Sequence, residues 1–570
     1  MTEGGEIQQR HPDDKAVEHS GERSDAPPQG LTMPPWRACG YFATAVVLAL
    51  AQGYGQSVIS ANAQQLQGSF STTQAETAWL TAAYMAPNAS LSLALIKIRG
   101  QIGIRRFAEV SIVGFLLATL LTFSAEDFGA HLAVRFLSGI AAAPMSSLAF
   151  LYMLEPLPPH RKMNVGLAAA LTFIFMGSPV TRLVSPHLLD IGLWHALTSM
   201  EVALAAISLG LIYLLPLKTP PMPMRIEAAD VISFFFIAVS FGCIAVAAVT
   251  GPIYWWTEHA WLGLVLAGGI AAFAVAASIE LNRETPLLDI RWLASPPVMH
   301  FAAAILLFRL VLSEQTSGAA GLFRSMGLLN EQMQGLWLVV IGATLLGGVI
   351  CAILMKPGRE VQFHAVALCL LIAGSWMDSR STAQTLPSDL YLSQGMIGLA
   401  SALFLPPALL SGLMSALAKG PNYILTFVIV FLTTQKLGGI FGAAIFASFV
   451  QVRRQLHTQR LSESLAATDP LVTSRLATSF GALSPQLGDT TLVSAQAAAQ
   501  LAGEVRMQAS VMAYNDAFLT IAVTSAAALV LLLGHSALKV WRARKSITSP
   551  EETQAGRQEP ASGTPQPQAA

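Results

Sequence analysis

Charge is what this sequence has least of. Lys, Arg, Asp and Glu together make up 12% of its 570 residues, about half the share of an ordinary soluble protein. That shortage excludes a solvated globular surface over most of the chain. Lys+Arg and Asp+Glu balance at 33 each, so net charge points to no acidic partner, and no role with nucleic acid is expected. Cysteine is nearly absent. Cys39, Cys243, Cys351 and Cys369 fall inside or beside apolar runs, where small buried hydrophobes are expected rather than disulfides, a redox pair or a metal site. There is no Gly-Lys dipeptide and so no Walker A loop, no His-Glu-x-x-His and no Gly-x-Ser-x-Gly. ATP hydrolysis, zinc proteolysis and α/β-hydrolase chemistry lose their usual signatures. No enzyme, no cofactor and no metal is expected.

What the chain does contain is long apolar runs. They fall at 38–62, 77–96, 107–124, 128–153, 164–186, 196–216, 230–250, 260–279, 298–320, 335–355, 361–378, 389–416, 422–449 and 515–538. Each is long enough to cross a bilayer as a helix, and none alternates as a barrel strand does. The reading is an all-α integral membrane protein of about fourteen helices. Residues 1–36 and 546–570 are polar and rich in Pro or Gly, and are expected to be disordered tails.

Short loops give the orientation. Lys97, Arg99, Arg105 and Arg106 follow the second run, and "PPHRK", "KPGR" and "KVWRARK" follow later even-numbered ones. The alternate short loops "NAQQLQGSFSTTQAE", "SAED" and "GPIYWWTEHA" hold neither Lys nor Arg. Positive loops stay in the cytoplasm, so both termini are expected there, which agrees with an even number of spans. Residues 451–512 form a long outer excursion with helix-prone stretches, expected to be ordered; long loops escape the charge rule.

Several motifs then carry a resemblance. "AWLTAAYMAP" presents Trp79 and Tyr84, "VRFLSGIAAAP" presents Arg135 and Gly139, and "LPPHRK", "LNRETPLLDIRWL", "SQGMIGLASALFLPP" and "MQASVMAYNDAF" follow in order. Together they resemble the fourteen-span drug:proton antiporters of the major facilitator superfamily, EmrB- and QacA-type multidrug efflux permeases. The resemblance implies a major facilitator fold: an N-terminal six-helix bundle over 37–217, two additional helices over 218–297 and a second six-helix bundle over 298–545. It implies export of lipophilic or amphipathic small molecules across the inner membrane, driven by protons, with a periplasmic adaptor and an outer-membrane channel as partners docking on 451–512. It also implies a proton-relay role for Arg135, and a cytoplasmic gating loop at Gly103, Arg105 and Arg106. A specific exchanger or importer of the same fold, and a non-transporting sensor or scaffold, remain open alternatives.

Some family positions are replaced. Gly55 stands where the first span usually has an acid. Gly100 and Gln101 stand for an Asp-Arg pair, and "VTRLVS" at 180–185 stands for the fifth-span glycine-proline motif. With the first-span acid gone, the charges inside apolar runs become the candidates. Arg309 and Glu314 interrupt the ninth run, where a charge costs about 3 kcal/mol or more. Five residues put them about 140° apart on a straight helix, so separate partners are expected, with Arg182, Glu201, Lys436 and Asp516 to choose from. Two readings of Arg309 and Glu314 stay open: a structural polar clamp that fixes helix packing, or a coupling site with Glu314 as the leading proton-carrier candidate. Arg135, Arg182, Arg309, Lys436 and Gly139 are expected around the coupling site or cavity. Glu201 and Asp516 are expected near the outer face. Gly438 and Gly442, four residues apart, read as close helix packing, and "YWWTEHAW" as an interfacial aromatic belt.

Overall fold

The computed structural model describes residues 31–547, apart from 92–94, 126, 218–225, 284–285, 287–288, 467 and 486–488. Both expected tails lie almost wholly outside the described residues, as do parts of the two loops flanking the seventh and eighth spans. Every regular element among the described residues is helical. Thirteen helices are long and apolar enough to cross a membrane. Gln74–Leu91 holds the place of the second span; Gln74, Glu76, Pro87 and Asn88 make it more polar than the rest. It packs between the fourth and seventh spans.

The helices alternate in direction, as contacts to the first span, Pro35–Ala61, show. Asn62 donates to Ser185 of the fifth span at 3.0 Å. At the other end Tyr41 donates to the Pro216 carbonyl beyond the sixth, also at 3.0 Å. The hydrogen-bonded run Gly177–Leu214 therefore doubles back on itself between the fifth and sixth spans. Here the face on which the first span begins is called proximal, and the other distal.

The first bundle closes around Leu48, Ile112, Phe115, Leu148 and Tyr152, the second around Phe323, Leu336, Trp337, Leu405 and Phe518. Large apolar side chains such as Val110, Leu214, Leu264, Ile353 and Val530 point outward. A surface this apolar is stable only against lipid. The seventh span, Ala228–Tyr254, lies against the second and thirteenth and so covers one seam between the bundles. The eighth, Ala260–Leu281, packs on the seventh. The "YWWTEHAW" segment does more than sit at an interface. Trp79 stacks on Trp261 at 5.5 Å and donates to Tyr254, while Trp256 donates to Ser448 at 2.8 Å, tying the added helices to both bundles.

On the distal side two helices run far beyond bilayer thickness. Pro421–Ser464 has 44 residues and Thr490–Ile547 has 58, about 66 and 87 Å at helical rise. Asp516 clasps them together through Arg453 and His457, each at 2.6 Å. A short helix, Pro470–Leu483, packs back on the last one and is pinned by Arg475 to Glu504 at 3.0 Å. The excursion is thus helical. The cysteines differ from expectation: Cys351 alone is buried, Cys243 is half-buried, and Cys39 and Cys369 lie on helix surfaces, all four free.

Candidate functional site

Three polar groups are built inside the helices. The first centres on Arg135 of the fourth span, Phe128–Leu154. Its Nη2 donates to the Gly55 carbonyl at 2.6 Å, its guanidinium lies 4.6 Å from the Tyr84 ring centre, and its Nη1 is 3.6 Å from Oε2 of Glu201. Both charged side chains are only 4% exposed. Glu201 is thus the buried counter-ion of Arg135. The reason is visible at Gly55. A Cβ there would stand 2.7 Å from Glu201 Oε1 and 3.0 Å from the Tyr84 hydroxyl. Glu201 of the sixth span occupies the space that the glycine leaves.

The second group holds Glu314. The ninth span, Pro296–Ser325, breaks after Val311 into a π-helical turn, Glu314–Gly318. Such wide turns re-aim side chains and concentrate at working sites. Glu314 is fully buried, and none of the four expected partners reaches it. Gln394 of the twelfth span instead donates one amide group to both Glu314 Oε1 and Asp378 Oδ2, each at 2.7 Å. The two carboxyls are close enough for their charges to interact, and among the described residues neither has a cation. Glu314 Oε2 has no hydrogen-bond partner among the described residues; a direct bond between the two carboxyls would require a proton in it.

The third group lies on the seam between the bundles. Phe175, Ser178, Pro179 and Arg182 of the fifth span face Arg309, Leu312, Gln315, Thr316, Trp337, Val340, Thr344 and Ser401 of the second bundle, around a cavity of about 40 Å³. That is room for roughly one water. Arg182 donates to the Thr316 carbonyl at 3.2 Å and lies 5.0 Å from the Trp337 ring centre; Arg309 lies 5.5 Å from that of Phe175. Glu314 and the cavity residues Gln315 and Thr316 share one π turn, so the carboxyl pair and the cavity are joined by backbone.

Arg309 and Glu314 go to separate partners, as the angle between them requires. The stripe Gly438, Gly439 and Gly442 lies against Arg309: a Cβ at Gly439 would strike its guanidinium, and one at Gly442 would stand 2.8 Å from its carbonyl. Lys436 donates to the Asn88 carbonyl at 3.0 Å, and Asn88 donates to Gly139 at 3.3 Å, linking the thirteenth, second and fourth spans. Gly139 itself is a packing site, since a Cβ there would strike the Tyr84 carbonyl. At the proximal loop Gly103 has φ +82°, and Arg105 pairs with Glu109 at 2.9 Å, while Arg106 is exposed. Lys97 finds its acid in Asp230 of the seventh span at 2.6 Å, and Arg283 joins the same carboxylate at 2.7 Å.

Both ends of the seam are closed. Distally Asn330 donates to the Ala61 carbonyl at 2.8 Å. Proximally Leu167 and Leu171 of the fifth span enter the core of the second bundle, and Thr172 fills the space at Gly348. At Gly177 a Cβ would sit 2.5 Å from the Gly53 Cα, so the first and fifth spans touch backbone to backbone.

No protein-family model and no curated protein sequence matches the chain. Solved structures do. The human organic anion transporter MFSD10 (TETRAN) is 13% identical, with 86% of this chain and 100% of that one aligned at a TM-score of 0.53. An auto-inhibited POT family peptide transporter is 11% identical, with coverages of 88% and 97% and a TM-score of 0.51. A bacterial homologue of the human lysosomal transporter Spinster is 15% identical, with coverages of 88% and 97% and a TM-score of 0.50. The chain has the major facilitator fold. Identities this low speak for fold and not for substrate.

Neutral or misjudged residues were the ones missed. Gln394, Gln315 and Trp337 carry no charge to mark them in an apolar run, and Asp378 closes the eleventh span, Glu360–Asp378, where an acid reads as interfacial.

Proposed function

We propose that the chain is a proton-coupled secondary transporter that exports amphipathic small molecules. In this reading it sits in the inner membrane with both termini in the cytoplasm and residues 451–512 on the periplasmic side. One observation supports it above the rest: two buried carboxyls, Glu314 and Asp378, held on a single amide beside a closed cavity at the bundle seam.

The chemistry is a switch. With its proton in place the pair holds the ninth, eleventh and twelfth spans together. Without it, two negative charges are held on one amide group, and like charges that close repel by about 3 kcal/mol or more at the effective dielectric of a protein interior. That is enough to bias a two-state packing by more than a hundredfold. Because the same π turn carries Gln315 and Thr316, loosening it also disturbs the Arg182 bond that joins the two bundles. Proton loss and cavity opening are coupled through that turn.

The long distal helices would dock an adaptor and, through it, an outer-membrane channel. The test of the transport reading uses proteoliposomes with an imposed proton gradient. Wild type should expel an amphipathic substrate and dissipate the gradient together, whereas Glu314→Gln should bind the substrate and do neither. Export by the variant at the wild-type rate and proton stoichiometry would refute Glu314 as the carrier. Substrate movement indifferent to the gradient would refute proton coupling.

A further inference from the structure

We infer that the seam cavity selects organic anions: an aromatic or amphipathic body bearing a carboxylate or sulfonate, held between Arg182 and Arg309. The inference rests on the transport reading for its purpose but on the cavity's own chemistry for its content. Among the described residues, four buried polar atoms of the lining have no protein partner: Arg182 Nη1, Arg309 Nε, Gln315 Nε2 and Trp337 Nε1. Every one of them is an N–H donor. No Asp or Glu lines the cavity. Buried donors left unpaired are costly, and the ligand that satisfies four at once is rich in acceptors. Two of the four belong to guanidinium groups, whose planar forks fit a carboxylate or sulfonate.

The remaining lining supplies the apolar part. Phe175, Leu312, Trp337 and Val340 surround the charged groups, so an aromatic body can pack while its anionic end meets the arginines. The two arginines come from opposite bundles. An anion bound to both would draw the bundles together, as a transported substrate must in order to favour closure. At about 40 Å³ the cavity of this closed form has no room for such a molecule, so binding requires the seam to part.

A second observation points the same way. The positive charge continues distally. Arg324 lies near enough to Arg182 for their charges to interact, Tyr514 interacts with both Arg324 and Arg454, and Arg454 and Arg506 line an open distal cleft of about 710 Å³ between the two long helices. An anion leaving the cavity would meet positive potential along its way out. Glu314 does not oppose it while its carboxyl pair holds a proton and is turned toward Gln394.

Three probes of one shape make the test: 2-naphthoate, 2-naphthamide and 2-naphthylmethylammonium, titrated calorimetrically into the full chain in lipid nanodiscs with no gradient. Naphthoate should bind at least tenfold more tightly than either of the others. Arg182→Gln and Arg309→Gln should each weaken naphthoate tenfold or more and leave the amide unchanged. Arg309→Lys should recover part of the loss, and Trp337→Phe, which removes a single donor, should weaken naphthoate severalfold without disturbing the fold. Preference for the ammonium or the amide overturns the inference, as does naphthoate affinity that the arginine variants and Trp337→Phe leave intact. Binding is measured without proton flow. Naphthoate that binds but moves no protons would sink proton coupling and keep the anion site. Proton release driven by the ammonium, with naphthoate unbound, would do the reverse.

Discussion

Moving one carboxylate from the sixth span to the first tests how the first bundle is held together. Glu201 is the counter-ion of Arg135 at 3.6 Å, with both side chains out of solvent. At that distance the attraction is about 4–5 kcal/mol for an effective dielectric of 20. Glu201→Ala leaves the guanidinium with the Gly55 carbonyl and the Tyr84 ring face, and removing one partner of a buried pair costs about 3–5 kcal/mol. Gly55→Asp alone should also be damaging, because its Cβ would stand 2.7 Å from Glu201 Oε1, placing two acids against one arginine. In Glu201→Ala that space is empty. The double variant should therefore recover at least half of the stability lost by Glu201→Ala. The assay is equilibrium unfolding in mixed micelles, followed by tryptophan fluorescence. A double variant no more stable than Glu201→Ala, or a Glu201→Ala protein within about 1 kcal/mol of wild type, would refute the argument that the sixth-span acid, in the space at Gly55, balances Arg135.

Three further outcomes are expected. Gly439→Val should displace Arg309 from the thirteenth span, lowering stability by about 1–3 kcal/mol through overpacking and weakening naphthoate binding; unchanged binding in a folded protein would show that the guanidinium is free to move. Gly103→Ala forces a side chain into φ +82° and should cost about 1–2 kcal/mol in the same unfolding assay, with equal stability contradicting the left-handed turn. Replacing residues 465–489 by a short Gly-Ser turn should abolish export from cells while leaving substrate binding by the purified protein intact, and unimpaired export would end the adaptor-docking proposal.

Much of the architecture is legible in the sequence because hydropathy is a property of single segments. The apolar runs read from sequence fall on the membrane helices, and the long excursion stands out by its length. The interior is harder to read, and particular residues show why. Arg309 and Glu314 announce themselves as charges in apolar surroundings, as does Arg182. Their partners do not, because contacts across a bundle leave no local trace. Gln394 is neutral, and Asp378 and Glu201 appear by their position along the chain to lie at the membrane's edge. Arg135 finds Glu201 and Lys97 finds Asp230, each on a helix distant in the sequence, so no local pattern pairs them. Gly438 and Gly442 read rightly as close packing, but nothing near them names Arg309 as what they pack against.

The account stands on a proton held between Glu314 and Asp378. Infrared difference spectroscopy of the full chain in lipid, subtracting the Glu314→Gln/Asp378→Asn double variant from wild type at neutral pH, reads that proton directly. The account predicts a protonated-carboxyl C=O band in wild type that the double variant lacks. A difference spectrum with carboxylate bands alone would show both groups ionised and would contradict it.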